Sequence, residues 1–168
     1  PLYSSAASDV YKRQIIDLAS EYRYRNPSVL GQSSMLVISQ SGESLDTLMA
    51  MRHGKSLGLS TNAIVNVEGS TIDREADYTL YTRVGPEVGV ASTKSFTSQL
   101  GVLFLLALAL GEKLNKLNSN EVKQKAQYLN MLPSAIARML EIEEKIKLIA
   151  HKITVSYTHL TLPTNREV

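Results

Sequence analysis

The run Ser33-Ser-Met-Leu-Val-Ile-Ser39 passes directly into Gln40-Ser-Gly-Glu-Ser44 and then Leu45-Asp-Thr-Leu-Met-Ala-Met51. A short apolar stretch closed by polar residues suits a buried strand. Leu45, Leu48 and Met49 then recur at helical spacing within Glu43–Leu57, and Gly58 stands where a helix would stop. The alternation repeats. Thr61–Val67 reads as a second buried strand, Ser70–Asp73 has the Ser-x-x-acid form of a helix start, and Tyr78–Arg83 alternates as a third strand. From Ser92 to about Lys113 a helical stretch is apolar enough to be buried nearly all round. Strand–helix–strand–helix–strand at this spacing argues for an α/β fold, a parallel sheet with helices on both faces. Ile15–Ser20 is expected to be the tail of a further strand.

After Lys116 the character changes. Val122, Ala126 and Leu129 mark one helix, which Pro133 is expected to end. Met139, Ile142, Ile146, Ile149 and Ile153 recur at steps of three and four along a second. Two heptads are too few for a coiled coil, so 116–154 reads as a helical connector leading out of the sheet domain.

Composition narrows the function. The 168 residues suffice for one domain, and a net charge of +2 argues for neither a nucleic-acid nor a membrane surface. Without cysteine there is no disulfide, thiolate metal site or cysteine nucleophile. The apolar run Leu100–Leu110 is shorter than the roughly 20 residues a bilayer requires. No signal-peptide pattern opens the chain. The expectation is a cytoplasmic globular domain with no metal and no cofactor.

The two ends read differently. Ser4–Gln14 (SSAASDVYKRQ) can be back-translated into a DNA string whose reverse complement, in one frame, encodes Val155–Thr164 (VSYTHLTLPT). That string resembles a transposase-type sequencing adapter. Residues 1–14 and 155–168 are therefore expected to be foreign, and the natural segment to run from about Ile15 to Thr154 with its first strand missing. No role falls to Tyr157, His159 or Arg166.

Two motifs carry chemistry. Ser39–Ser44 lies between a strand and a helix, where open parallel sheets bind ligands. A helix N-terminus there offers free N–H groups and a positive dipole. Gly42 permits close backbone approach, and Ser39, Gln40, Ser41 and Ser44 add neutral donors. This composition suits a phosphate monoester; the other reading is a serine-rich turn that merely caps a helix. Lacking a Lys after the Gly it is no Walker loop, and it is not GxGxxG. The second motif, Gly85-Pro-Glu-Val-Gly-Val-Ala-Ser-Thr-Lys94, is a shaped loop before the long helix. Lys94 falls in the first helical turn, where a cation is poorly placed for the dipole.

SQSGES followed by GPEVGVASTKSFTSQ, with ASEYRYR before them at Ala19–Arg25, resembles the isomerase half of the glutamine–fructose-6-phosphate aminotransferase (glucosamine-6-phosphate synthase) family. The resemblance covers nearly all of 15–154. It implies a flavodoxin-like SIS domain at 15–115, the first of two, joined by 116–154 to the second. It also implies binding of fructose 6-phosphate and its conversion to glucosamine 6-phosphate in amino-sugar biosynthesis. Ser39, Gln40, Ser41 and Ser44 match the family's sugar-phosphate ligands, with Ser44 standing for a Thr. Val90, through its backbone, and Ser92 match positions that contact the sugar. The implied partners are a second SIS domain, an ammonia-supplying glutaminase domain and a second copy in a homodimer. Ala19–Arg25 matches a segment near that subunit contact, where Arg23 and Arg25 would meet carboxylates.

The family's base, ring-opening His and C-terminal Lys belong to its second SIS domain and find no match here, so no catalytic residue is assigned and the chain alone is expected to be inactive. His53 and His151 do not align with the ring opener. Glu43 and Glu87, the acidic residues within the motifs, each read as a first-turn helix charge or a loop-ordering carboxylate rather than a catalyst. The alternatives are a fructosamine-phosphate deglycase-like enzyme and a non-catalytic phosphosugar sensor.

Overall fold

Short runs rich in β-branched and apolar residues set three strands into one sheet. In the computed structural model the described residues are 14–25, 27, 33–88 and 92–154. The expected foreign ends, apart from Gln14, and Val90 lie outside them. The elements are α1 (Ala19–Tyr22), β1 (Ser34–Ser39), α2 (Leu45–Ser56), β2 (Ser60–Val65), α3 (Thr71–Glu75), β3 (Tyr78–Tyr81), α4 (Lys94–Lys113), α5 (Ser119–Leu140) and α6 (Glu143–Thr154). Strands run parallel in the order β1-β2-β3. The register pairs Ser39 with Val65 and Val65 with Tyr81, so all three C-terminal ends fall in line. The expected parallel α/β sheet is present.

The chain divides into two compact units, residues 1–106 and 107–168. In the first, Val37, Leu48, Met51, Ala63, Val65 and Ile72 form the core, with Met35, Ala76 and Tyr81 packed against it. Leu48 and Met51, three residues apart, place one face of α2 on the sheet. Burying a side chain such as Met51 or Ile72 contributes about 1.5–3 kcal/mol. Gly58, at φ +80°, ends α2 as expected, its N–H donating to the Lys55 carbonyl.

Four expectations are corrected. Ile15–Ser20 is not a strand tail: Asp17 accepts from the Leu18 N–H, and the Leu18 carbonyl accepts from Glu21 and Tyr22, which turns the chain into α1. The long helix starts at Lys94 rather than Ser92 and is not buried nearly all round. Phe96 is 57% and Leu100 50% exposed, and Phe104, Leu105 and Leu110 are exposed too. Apolar content shows which surface favours a partner, not that this chain supplies one. The run at Leu100–Leu110 also sits inside a 20-residue helix long and apolar enough to cross a membrane, a test that core helices of soluble proteins also pass. Finally, Pro133 lies inside α5. A proline there removes one N–H and presses on the carbonyl four residues back, but a 22-residue helix keeps its other bonds.

In the second unit, Asn118 and Glu121 form a reciprocal capping box at the start of α5 (2.9 and 2.8 Å). The stripe from Met139 to Ile153 is shared between two helices. Glu141 and Ile142 donate to the carbonyls three residues back, a tightened turn separating α5 from α6.

Candidate functional site

Strand β1 carries Ser39, itself buried, to the C-terminal edge of the sheet, where the chain must turn sharply into α2. The Ser39 Oγ accepts from the Gly42 N–H (3.1 Å) and the Ser41 Oγ from the Glu43 N–H (3.2 Å), so two hydroxyls shape the turn from within. Gly42 adopts φ +68°, a region L side chains avoid. Its carbonyl accepts from Ile72 N–H (3.0 Å), fastening the turn to α3.

Ser44 occupies the N-cap position of α2 in extended conformation, yet its side chain makes no cap bond; its Oγ accepts from the Thr47 hydroxyl instead (3.2 Å). The first amides of α2 thus lack a side-chain cap, while Gln40, Ser41 and Ser44 are exposed beside them. The turn's one carboxylate is drawn off. Glu43 Oε1 accepts from the Thr71 N–H (2.7 Å), and chiefly that backbone bond holds the carboxyl below its ordinary range.

The second motif follows β3 at the same sheet edge. Glu87 takes the Thr93 N–H (2.8 Å), the Thr93 hydroxyl (3.0 Å) and the Lys94 N–H (3.0 Å) on Oε1. Its Oε2 accepts from the hydroxyls of Ser95 (2.6 Å) and Ser92 (3.2 Å). The Ser95 hydroxyl first, then the Thr93 amide, lower its pKa from 4.5 to about 2. Lys94 Nζ donates to the Pro86 carbonyl, giving the oddly placed cation a partner.

Asn66, just past β2, joins the roots of both motifs and was not singled out from the sequence. Its N–H donates to the Gln40 carbonyl (3.1 Å), and its Oδ1 accepts from the Thr82 hydroxyl (3.0 Å) and the Val84 N–H (2.7 Å). The signal was available: a polar side chain directly follows a run buried at Ala63, Ile64 and Val65. Ser39, Gln40, Ser41 and Ser44 are therefore held in one turn, and Ser92 in a loop rooted at the same edge. Arg25 pairs within the chain with Asp17 (3.0 Å), and Arg23 donates to the Tyr24 hydroxyl (2.6 Å). An open cavity of about 520 Å³ lined by Arg23, Tyr24, Met49, Arg52 and His53 contains none of the candidate residues.

With this arrangement in view, the likeness to known proteins is specific. A model of the SIS domain matches residues 11–109. The chain is 49% identical over 138 residues to glutamine–fructose-6-phosphate aminotransferase [isomerizing] of Chlorobaculum tepidum, covering 82% of this chain and 22% of that protein. It is 44% identical over 137 residues to the Fusobacterium nucleatum protein of the same name, covering 82% and 23%. Its structure is similar to the C-terminal domain of glucosamine-fructose-6-phosphate aminotransferase from Francisella tularensis, with TM-score 0.77, 34% identity, and coverage of 80% of this chain and 38% of that one. The chain thus spans less than a quarter of the length of these two curated relatives.

Proposed function

This chain belongs to the SIS domain family, and from there we propose that it is the phosphosugar-binding part of a larger enzyme that converts fructose 6-phosphate to glucosamine 6-phosphate. In this reading Ser39, Gln40, Ser41 and Ser44 hold the phosphate, and Val90, through its backbone, and Ser92 meet the sugar. The observation that carries it is the Ser39–Ser44 turn: neutral donors grouped beside an α2 N-terminus that Ser44 leaves without a side-chain cap. Amides and hydroxyls at a helix start bind a phosphate dianion without a fixed countercharge, so the product is released as readily as the substrate enters.

The residues here bind and orient; they do not move protons. Isomerisation between C1 and C2 needs a positioned base, and Glu43 and Glu87 are both occupied by backbone and hydroxyl donors. The base, the ring opener and the ammonia supply come in this reading from a second SIS domain and a glutaminase domain, within a cytoplasmic homodimer. Residues 15–115 form the first SIS domain and 116–154 the connector, with 1–14 and 155–168 foreign. The exposed apolar side chains of α4 are then covered by the rest of that enzyme.

Titration calorimetry of the chain with fructose 6-phosphate, fructose and inorganic phosphate tests the proposal. Binding of fructose 6-phosphate and phosphate, with fructose far weaker, is expected. Equal affinity for fructose and its 6-phosphate would refute a phosphate-binding turn.

A further inference from the structure

We propose that Glu87 is a positioning residue that fixes the Ser92 hydroxyl as a hydrogen-bond acceptor toward a sugar hydroxyl. The inference rests on the reading of Ser92 as a sugar contact, and goes beyond it by assigning the residue that orients Ser92.

A carboxylate offers about four acceptor positions, and Glu87 receives five donors, from Ser92, Thr93, Lys94 and Ser95. An ordinary helix cap uses the side chain immediately before the first turn. Ser92 and Thr93 stand there, yet both of their hydroxyls donate to a carboxylate five and six residues upstream. Ser95, only 2% exposed, anchors the same carboxylate to a buried site. Lys94 Nζ on the Pro86 carbonyl closes the loop a second time, one residue before Glu87. The helix start and the loop entrance are thereby locked together by side chains of adjacent residues.

The chemical consequence lies in the direction of one proton. A serine hydroxyl has one donor and two acceptor lone pairs. With its proton given to Glu87, Ser92 keeps only lone pairs for a ligand. It therefore suits a ligand O–H and not a phosphate oxygen, which also accepts. The two motifs divide the ligand accordingly: donors at Ser39–Ser44 for the phosphate, an acceptor at Ser92 for the sugar.

The test is a double-mutant cycle of Glu87→Gln and Ser92→Ala, read by calorimetry with fructose 6-phosphate and with inorganic phosphate, plus amide hydrogen exchange without ligand. Glu87→Gln should weaken fructose 6-phosphate binding about tenfold when Ser92 is present and less than about twofold in the Ser92→Ala background. Binding of inorganic phosphate should stay within about twofold throughout. An equal loss in both backgrounds, or no loss, would overturn the inference, because a merely structural cap would act without regard to Ser92. If the unmutated chain binds fructose as well as its 6-phosphate, the functional reading fails. The clamp is then decided by exchange alone: the Thr93 and Lys94 amides should exchange faster in Glu87→Gln, and unchanged rates would overturn it. Should Glu87→Gln not fold, Glu87→Asp, which keeps the charge on a shorter arm, takes its place in the same cycle.

Discussion

A Cβ on residue 42 would lie 2.0 Å from the hydroxyl oxygen of Ser70 and 2.5 Å from its Cβ, so Ser70 fills the space that only a glycine leaves open. Ser70 is buried and its Oγ has no hydrogen-bond partner among the described residues. Gly42→Ala should destabilise the chain by about 1–2 kcal/mol from its left-handed backbone alone, with the collision added. Ser70→Gly removes the collision and not the backbone strain, so the double variant should recover part of the loss. Urea unfolding of the four proteins measures this; strict additivity would show that the two residues do not press on one another.

The Glu87 carboxylate makes a prediction in acid. Its folded pKa of about 2 lies below the ordinary 4.5, so between those values the unfolded chain binds more protons than the folded one. The stability it contributes is complete above pH 4.5 and is lost as the pH falls toward 2. Glu87→Gln should therefore flatten the dependence of the urea midpoint on pH in that window. Glu43 and Asp77, both held low mainly by backbone amides, keep part of the remaining slope, together with Asp73 and Glu75, whose carboxyls also lie below their ordinary range. Identical slopes with and without Glu87 would contradict the bonds described.

Pro133 interrupts the bond ladder of α5, so Pro133→Ala should restore an N–H donor toward the Leu129 carbonyl. A gain of about 1–3 kcal/mol in the stability of that helix is expected, read as a higher melting temperature by circular dichroism at 222 nm. A lower melting temperature would mean that proline's restriction of the unfolded chain outweighs the lost bond.

The chain alone should yield no glucosamine 6-phosphate from fructose 6-phosphate with glutamine or ammonium. Turnover that disappeared in Glu43→Gln or Glu87→Gln would show that one of these carboxylates leaves its structural bonds to act as a base.

The strand segments, the stop at Gly58 and the Ser39–Ser44 turn were legible because their marks are local, although strand pairing joins residues as far apart as Ser39 and Val65. A buried run, a left-handed glycine and a cluster of hydroxyls leave local marks. Glu87 was legible as a loop-ordering carboxylate, and its bonds to Thr93, Lys94 and Ser95 match that reading. The role of Asn66 was less legible, since it acts across 16–26 residues, binding Gln40, Thr82 and Val84. Exposure along α4 was misread for a related reason. An apolar helix reports its own preference for burial, while its cover is a property of whatever packs on it.

The account turns on the hydroxyls of Ser39 and Ser41 as phosphate donors, and calorimetry of Ser41→Ala against Ser39→Ala tests this most directly. Each change should weaken fructose 6-phosphate binding by roughly 1.5–3 kcal/mol, the value of a hydrogen bond to a charged group. Ser41, exposed, should lose affinity with little change in melting temperature, whereas Ser39, buried and bonded to Gly42, should lose both. If both variants bind fructose 6-phosphate as tightly as the unmutated chain, the turn does not hold the phosphate.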